Sequence, residues 1–143
     1  MDQTTTLNIY TDGGARGNPG PAALGVYIEN DKGKTLIKIG RTLGDTTNNI
    51  AEYSAILEGL SWVLLHREEM PKLIKINFFM DSNLASSQLN GLYKIKSPHL
   101  RDYLFKIREK EGELKIPINY SHIPREENKK ADRMVNLALD GKI

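Results

Sequence analysis

Leu7-Asn8-Ile9-Tyr10-Thr11-Asp12-Gly13-Gly14-Ala15-Arg16-Gly17-Asn18-Pro19-Gly20-Pro21 joins two kinds of sequence at a single carboxylate. Up to Asp12 apolar and polar residues alternate, the pattern of a strand with one buried face. From Gly13 to Gly20 the stretch is rich in glycine, which lets backbone approach a ligand closely and take positive φ. Strand one therefore covers residues 7–12 and ends on an acid. Three other acids stand at comparable transitions. Glu52 falls in the first turns of a long helical pattern that follows Thr46-Thr47-Asn48-Asn49, Asp81 ends the run Ile74-Lys75-Ile76-Asn77-Phe78-Phe79-Met80, and Asp132 lies near the start of the last helical pattern. Acids at strand ends and helix starts can converge on the crevice of an α/β sheet. Oxygen ligands grouped in this way suit Mg²⁺ and phosphate chemistry. Any one of them alone reads as an ordinary surface acid among 18 Asp and Glu; all four in these contexts do not.

Working outward, residues 22–29 read as strand two, Asn30-Asp31-Lys32-Gly33 as a turn and residues 35–42 as strand three. Short connections imply an antiparallel meander. A helix over residues 49–66 places Tyr53, Leu57, Leu60 and Leu64 on one face. Residues 73–80 form strand four, and a short helix covers residues 82–89. Ser97-Pro98 is an N-cap followed by proline at the first helical position. The helix it opens aligns Leu100, Leu104 and Ile107 and stops near Gly112. Residues 114–120 form strand five, which Pro117 confines to a sheet edge because it has no N–H to donate. A last helix covers residues 127–139. The order β-β-β-α-β-α-α-β-α predicts the α/β class, a mixed sheet with helices on its faces, in a single domain over residues 1–143.

Composition sets the boundaries. With 39% hydrophobic and 27% charged residues the chain can bury a core and is not disordered. No stretch approaches the roughly 18–20 apolar residues of a membrane helix. Met1-Asp2-Gln3-Thr4 lacks the form of a signal peptide. The absence of cysteine excludes disulfides, zinc–thiolate sites and thiol nucleophiles, and suits a cytoplasmic protein. A net charge of +2 is too small to announce a nucleic-acid partner, so polyanion binding must rely on local patches.

The segment from Tyr10 to Pro21 resembles the opening motif of type 1 ribonuclease H (ribonuclease HI). Thr47-Asn48-Asn49-Ile50-Ala51-Glu52 resembles its second motif, Met80-Asp81-Ser82 its third, and His122-Ile123-Pro124-Arg125-Glu126-Glu127-Asn128-Lys129-Lys130-Ala131-Asp132 its fourth. The resemblance implies a five-stranded sheet in the order 3-2-1-4-5 with strand two antiparallel. It implies a monomer, with no membrane partner, that hydrolyses the RNA strand of RNA–DNA hybrids and leaves 3′-hydroxyl and 5′-phosphate ends. Two Mg²⁺ ions, replaceable by Mn²⁺, are implied as cofactors. Asp12 would bridge them, Glu52 and Asp81 would complete one site, and Asp132 the other. Gly13, Gly14, Asn18, Asn48, Asn49 and Asn83 are the implied readers of the RNA 2′-hydroxyls, and Thr47 is a candidate for a DNA phosphate. Read without the resemblance, Gly17-Asn18-Pro19-Gly20 is a tight turn and Thr46-Thr47-Asn48-Asn49 a helix N-cap; both uses can coexist.

His122, ten residues before Asp132, has the spacing of the family's loop histidine, which assists proton transfer or product release. The glycine and second histidine usual in that loop are missing, and Ile123-Pro124-Arg125-Glu126 looks more like a subgroup with an arginine there, so Arg125 is the alternative phosphate contact. His66 and His99 read as structural. Asn90-Gly91-Leu92-Tyr93-Lys94-Ile95-Lys96 replaces the basic protrusion of some members, leaving Tyr93, Lys94, Lys96 and Arg101 as alternative hybrid contacts or as plain solvated loop. Strand one begins almost at once, so no N-terminal hybrid-binding domain is expected. Three functions compete: a hybrid-specific endonuclease, a nuclease of the same fold acting on double-stranded RNA or a junction, and a non-catalytic nucleic-acid binding module. A full acid set disfavours the last, because clustered negative charge repels phosphates.

Overall fold

The computed structural model describes residues 4–143; Met1, Asp2 and Gln3, on which the expectation of no signal peptide partly rests, lie outside the described residues. The elements are β1 (Thr5–Ala15), β2 (Gly20–Asn30), β3 (Thr35–Thr46), α1 (Asn48–Leu65), β4 (Leu73–Met80), α2 (Asn83–Leu89), α3 (Pro98–Leu114), β5 (Ile118–His122) and α4 (Lys129–Leu139), with 3₁₀ turns at Arg67–Glu69 and Arg125–Glu127. The sheet order is β3-β2-β1-β4-β5. β2 runs antiparallel to β1 and β3, while β4 is parallel to β1 and β5 to β4. Fold class, strand order and the antiparallel second strand are as expected from the sequence. No described helix is long and apolar enough to cross a membrane.

Alternation along β1 gives the sheet two packed faces. Leu7 and Ile9 point into the main core with Val26, Ile28, Tyr53, Ile56, Leu60, Ile76, Phe78 and Ile107, so this face of the sheet is covered by α1 and, beyond it, α3. The opposite face receives α4 through smaller residues, Ala23, Val135 and Ala138. β2 is buried on both sides for most of its length, which is why it reads as a nearly continuous apolar run.

Several boundaries differ from the sequence reading: β2 begins at Gly20 rather than residue 22, β5 runs on to His122, and the last helix begins at Lys129 rather than residue 127, because Arg125–Glu127 is a separate 3₁₀ turn. β1 continues past Asp12, because Gly13, Gly14 and Ala15 pair with Leu24, Ala23 and Ala22. Only the segment between Ala15 and Gly20 is loop. β3 extends to Thr46 by way of a bulge: Ala23 pairs with Thr42 and Ala22 with Gly44, and Gly44 takes a φ of 74°. α3 runs through Gly112 to the buried Leu114 and ends on Lys115, which adopts the left-handed conformation at φ 57°. Strand five accordingly starts later, at Ile118, with Pro117 just outside it; β5 is an edge strand, as the proline demands. The caps at Thr47 and Ser97 behave as read, and Ser82, read as the first helical residue, is a third cap: each accepts a backbone N–H three residues on.

Two glycines set how close the helices come. A Cβ on Gly13 would lie 2.2 Å from the backbone of Ala51 and Glu52, so α1 rests directly on β1. A Cβ on Gly25 would lie 2.2 Å from the carbonyl oxygen of Ala131, so α4 rests directly on β2. Neither neighbour is a side chain that could turn away. Gly112 is the opposite case: it sits in helical backbone with open space around its Cβ position. Gly25→Ala is therefore expected to destabilise the protein by about 1–3 kcal/mol or more, whereas Gly112→Ala should stabilise it by roughly 0.5–1 kcal/mol. Urea unfolding of both variants tests the contrast, and equal stabilities would contradict it.

Candidate active site

Each acid reaches the same end of the sheet by a different route. Asp12 lies in β1 directly opposite Gly25, on the face that α4 covers, and the missing side chain of Gly25 leaves room beside it. Glu52 is carried in by the first turns of α1, brought close by the contact at Gly13. Asp81 follows the last residue of β4, the central parallel neighbour of β1. Asp132 sits in the first turn of α4, where the helix dipole favours a negative charge. All four line one open crevice of about 270 Å³, together with Gly13, Gly14, Asn48 and Arg125. Sequence-distant acids thus meet as expected.

The electrostatics follow from burial and crowding. Burial, then the charge of Asp81 and the close contact with Asp132, push the Asp12 carboxyl up from 3.8 to about 8, against the opposing effect of the Gly13 N–H, which donates to Asp12 Oδ1 at 2.9 Å. Glu52 is also raised, chiefly by burial, with a hydrogen bond from Ser82 opposing and Asp81 adding to the shift. Its Oε2 is buried with no hydrogen-bond donor. Arg16 also borders the crevice, but its guanidinium is paired with Asp140 at 2.7 Å. An all-oxygen set with a raised acid and an orphaned carboxylate oxygen fits a hard divalent cation. Among the described residues the side chains are not already drawn into a closed metal cage. Mutual repulsion opposes such a cage, and Mg²⁺ commonly uses only one or two carboxylates with water and substrate phosphate.

The glycine loop and the start of α1 are clamped reciprocally. Ala15 N–H donates to Asn48 Oδ1 at 2.8 Å, and Asn48 N–H donates to Asn18 Oδ1 at 3.1 Å. Both amide oxygens are engaged inside the protein, so the NH₂ groups are what remains for a ligand. Thr47 caps α1, Asn49 follows Asn48 in its first turn, and Asn83 is exposed at the start of α2; none of the three lines the crevice itself. His122 is exposed at the end of β5 opposite Met80 and is likewise not among the lining residues, whereas Arg125, exposed in the 3₁₀ turn before α4, is. His66 stacks on Trp62 and His99 leans on Tyr103. Residues 90–97 join α2 to α3 without an intervening helix, with Tyr93, Lys94 and Lys96 exposed, while Arg101 Nε donates to Ile95 O at 2.7 Å.

Three residues near the acids escape the sequence reading. Ser82 caps α2 and bonds Glu52. Asn136 lines the crevice one turn after Asp132. Asn128 is completely buried between Thr11 and Asp81. Ser82 and Asn128 offer a signal, as residue types favoured just before a helix; Asn136 offers none.

The sequence profile described as Reverse transcriptase-like matches residues 10–138. Ribonuclease HI of Halobacterium salinarum is 34% identical over 139 residues, covering 97% of this chain and 67% of that protein. The chain belongs to the type 1 ribonuclease H family. A solved structure from that family, LC11-RNase H1 in complex with an RNA/DNA hybrid, has a TM-score of 0.89 at 41% identity and covers 95% of this chain and 98% of that one. Bifunctional protein Rv2228c of Mycobacterium tuberculosis is 37% identical over 134 residues, 92% of this chain but 35% of its own length. This chain therefore spans about a third of that relative.

The raised Asp12 has a definite consequence for stability. Between pH 3.8 and about 8 the folded protein holds a proton there that the unfolded chain releases, so without metal this group lowers stability as pH rises through that window. Asp12→Asn removes the effect and keeps an oxygen for the Gly13 N–H. Measured in chelator, the melting temperature of the variant relative to wild type should climb from pH 4 to pH 9; a pH-independent difference would contradict the assignment.

Proposed function

We propose that the crevice cuts the RNA strand of RNA–DNA hybrids, with two Mg²⁺ ions, or Mn²⁺ in their place, held by Asp12, Glu52, Asp81 and Asp132. The observation that carries this reading is the convergence of four carboxylates from β1, α1, β4 and α4 on one open crevice, beside a loop whose free amide donors suit sugar and phosphate oxygens. When bound, the metal pair supplies an activated water and stabilises charge at phosphorus and on the leaving oxygen.

The chain's own residues divide the remaining work. Asp12, raised by its neighbours, would hold a cation as the carboxylate, so cation binding would favour loss of its proton. Glu52, whose Oε2 is buried without a hydrogen-bond partner, would be a further ligand for the cations. Asn18 and Asn48, their oxygens already bonded within the protein, present NH₂ donors to 2′-hydroxyl oxygens, and Gly13 and Gly14 border the crevice beside them as further sugar contacts. Asn49 and Asn83 extend that contact along the RNA strand, and Thr47 takes a DNA phosphate beside its capping role. Arg125 borders the crevice with a guanidinium suited to phosphate. His122 stands at the same end of the sheet, paired with Met80, the residue before Asp81, and serves proton handling or product release.

Labelled RNA–DNA hybrid, double-stranded RNA and DNA duplex, each incubated with Mg²⁺ or Mn²⁺, separate the candidate activities. Cleavage of the hybrid's RNA strand alone is expected, and it should vanish in Glu52→Gln. DNA duplex cut as fast as hybrid would remove the 2′-hydroxyl readers from the account.

The two auxiliary residues separate by kinetics. His122→Ala should lower kcat by at most about 10²–10⁴-fold with KM nearly unchanged. Arg125→Ala should weaken hybrid binding and flatten its salt dependence, because a phosphate contact releases counterions. Wild-type kcat in His122→Ala would leave that residue outside the chemistry, and an unaltered salt slope in Arg125→Ala would do the same for the arginine.

A further inference from the structure

Asn128 is fully buried, yet it makes no contribution as a side-chain cap to the helix it precedes. Its Nδ2 donates to Thr11 O at 2.9 Å and to Asp81 Oδ2 at 3.1 Å. Its carbonyl accepts the backbone N–H of Asp132 at 3.1 Å, and its own N–H closes the preceding turn on Arg125 O at 2.9 Å. One residue therefore touches the peptide before Asp12, the carboxylate of Asp81 and the backbone of Asp132. Packing does not account for an amide here. Its Oδ1 is buried without a partner, which costs stability, and a leucine of similar shape would avoid that cost. What leucine lacks is the pair of donors, both of which are used.

We propose that Asn128 is a positioning residue for the cation-binding carboxylates: its amide fixes one oxygen of Asp81, leaving Oδ1 for the metal, and ties that carboxylate to β1 at Asp12 and to the first turn of α4 at Asp132. The proposal rests on the metal-dependent reading of the crevice. Donors behind ligating carboxylates set their orientation, and removing such a donor typically costs about 10–100-fold in metal affinity or activity. A residue that only filled space would not alter metal affinity when replaced by one of equal shape.

The test compares wild type with Asn128→Leu. In the absence of substrate, the rise in melting temperature with Mn²⁺ gives the concentration of half-saturation. Asn128→Leu should need about 10–100-fold more Mn²⁺, and on hybrid its kcat should fall with KM unchanged. A variant with wild-type half-saturation overturns the proposal while leaving the metal reading intact. A wild type that shows no Mn²⁺ response overturns the metal reading and this inference with it. A second measurement needs no variant and so decides the matter even if Asn128→Leu does not fold. In ¹⁵N-labelled wild type, Mg²⁺ titration should move the side-chain amide resonances of Asn128 along the same saturation curve as the backbone amide of Gly13, which bonds Asp12. A Gly13 signal that moves while the Asn128 side chain stays fixed also overturns the proposal.

Discussion

The closeness of two helices to the middle of one sheet is the constraint on which the rest of the molecule depends. α1 and α4 lie against β1 and β2 at glycines whose Cβ atoms would meet helix backbone at 2.2 Å. Backbone cannot rotate out of the way as a side chain can, so these contacts set the helix positions within a fraction of an ångström. Glu52 and Ala51 share the first contact, and Ala131, next to Asp132, makes the second. The same two contacts that close the core therefore decide where two of the four acids stand.

Assembling those acids runs against electrostatics. Asp12 is raised to about 8 by burial and by Asp81 and Asp132, and Glu52 is raised too. The hydrophobic core supplies the opposing free energy: Leu7, Ile9, Ile76 and Phe78 bury the strands that deliver Asp12 and Asp81, and Tyr53, Ile56 and Leu60 bury the helix that delivers Glu52. Local strain at the site is what a cation would relieve, so stability and metal affinity are linked through the same carboxylates.

Around the acids, hydrogen bonds convert loop segments into fixed surfaces. The exchange between Ala15, Asn48 and Asn18 joins the β1–β2 loop to the start of α1, so the donors on both move as one unit. Asn128 does the same between β1, the end of β4 and α4. On the outside, the direct link from α2 to α3 leaves exposed Tyr93, Lys94 and Lys96 where some family members carry an additional basic element.

By itself the sequence determined the α/β class and singled out the four acids, because each sits at a junction where periodicity changes and where local rules apply: alternation ending at Asp12 and Asp81, a cap before Glu52, a short helical repeat holding Asp132; the strand order followed only from the resemblance of its motifs to type 1 ribonuclease H. It also placed the caps at Thr47 and Ser97, which depend on atoms only three residues away. Element ends were less legible. Gly13 and Gly14 read as loop but are strand, because their partners Leu24 and Ala23 lie across a hairpin, and Leu114 prolongs α3 past Gly112 because the core can bury it. Only the tertiary structure decided that Arg125 borders the crevice and His122 does not, that Gly13 and Gly25 are sites of backbone contact, and that Asn128 turns its amide away from its own helix toward Thr11 and Asp81. Those properties belong to atoms up to 117 positions apart in the chain, and no local periodicity or propensity encodes a contact between them.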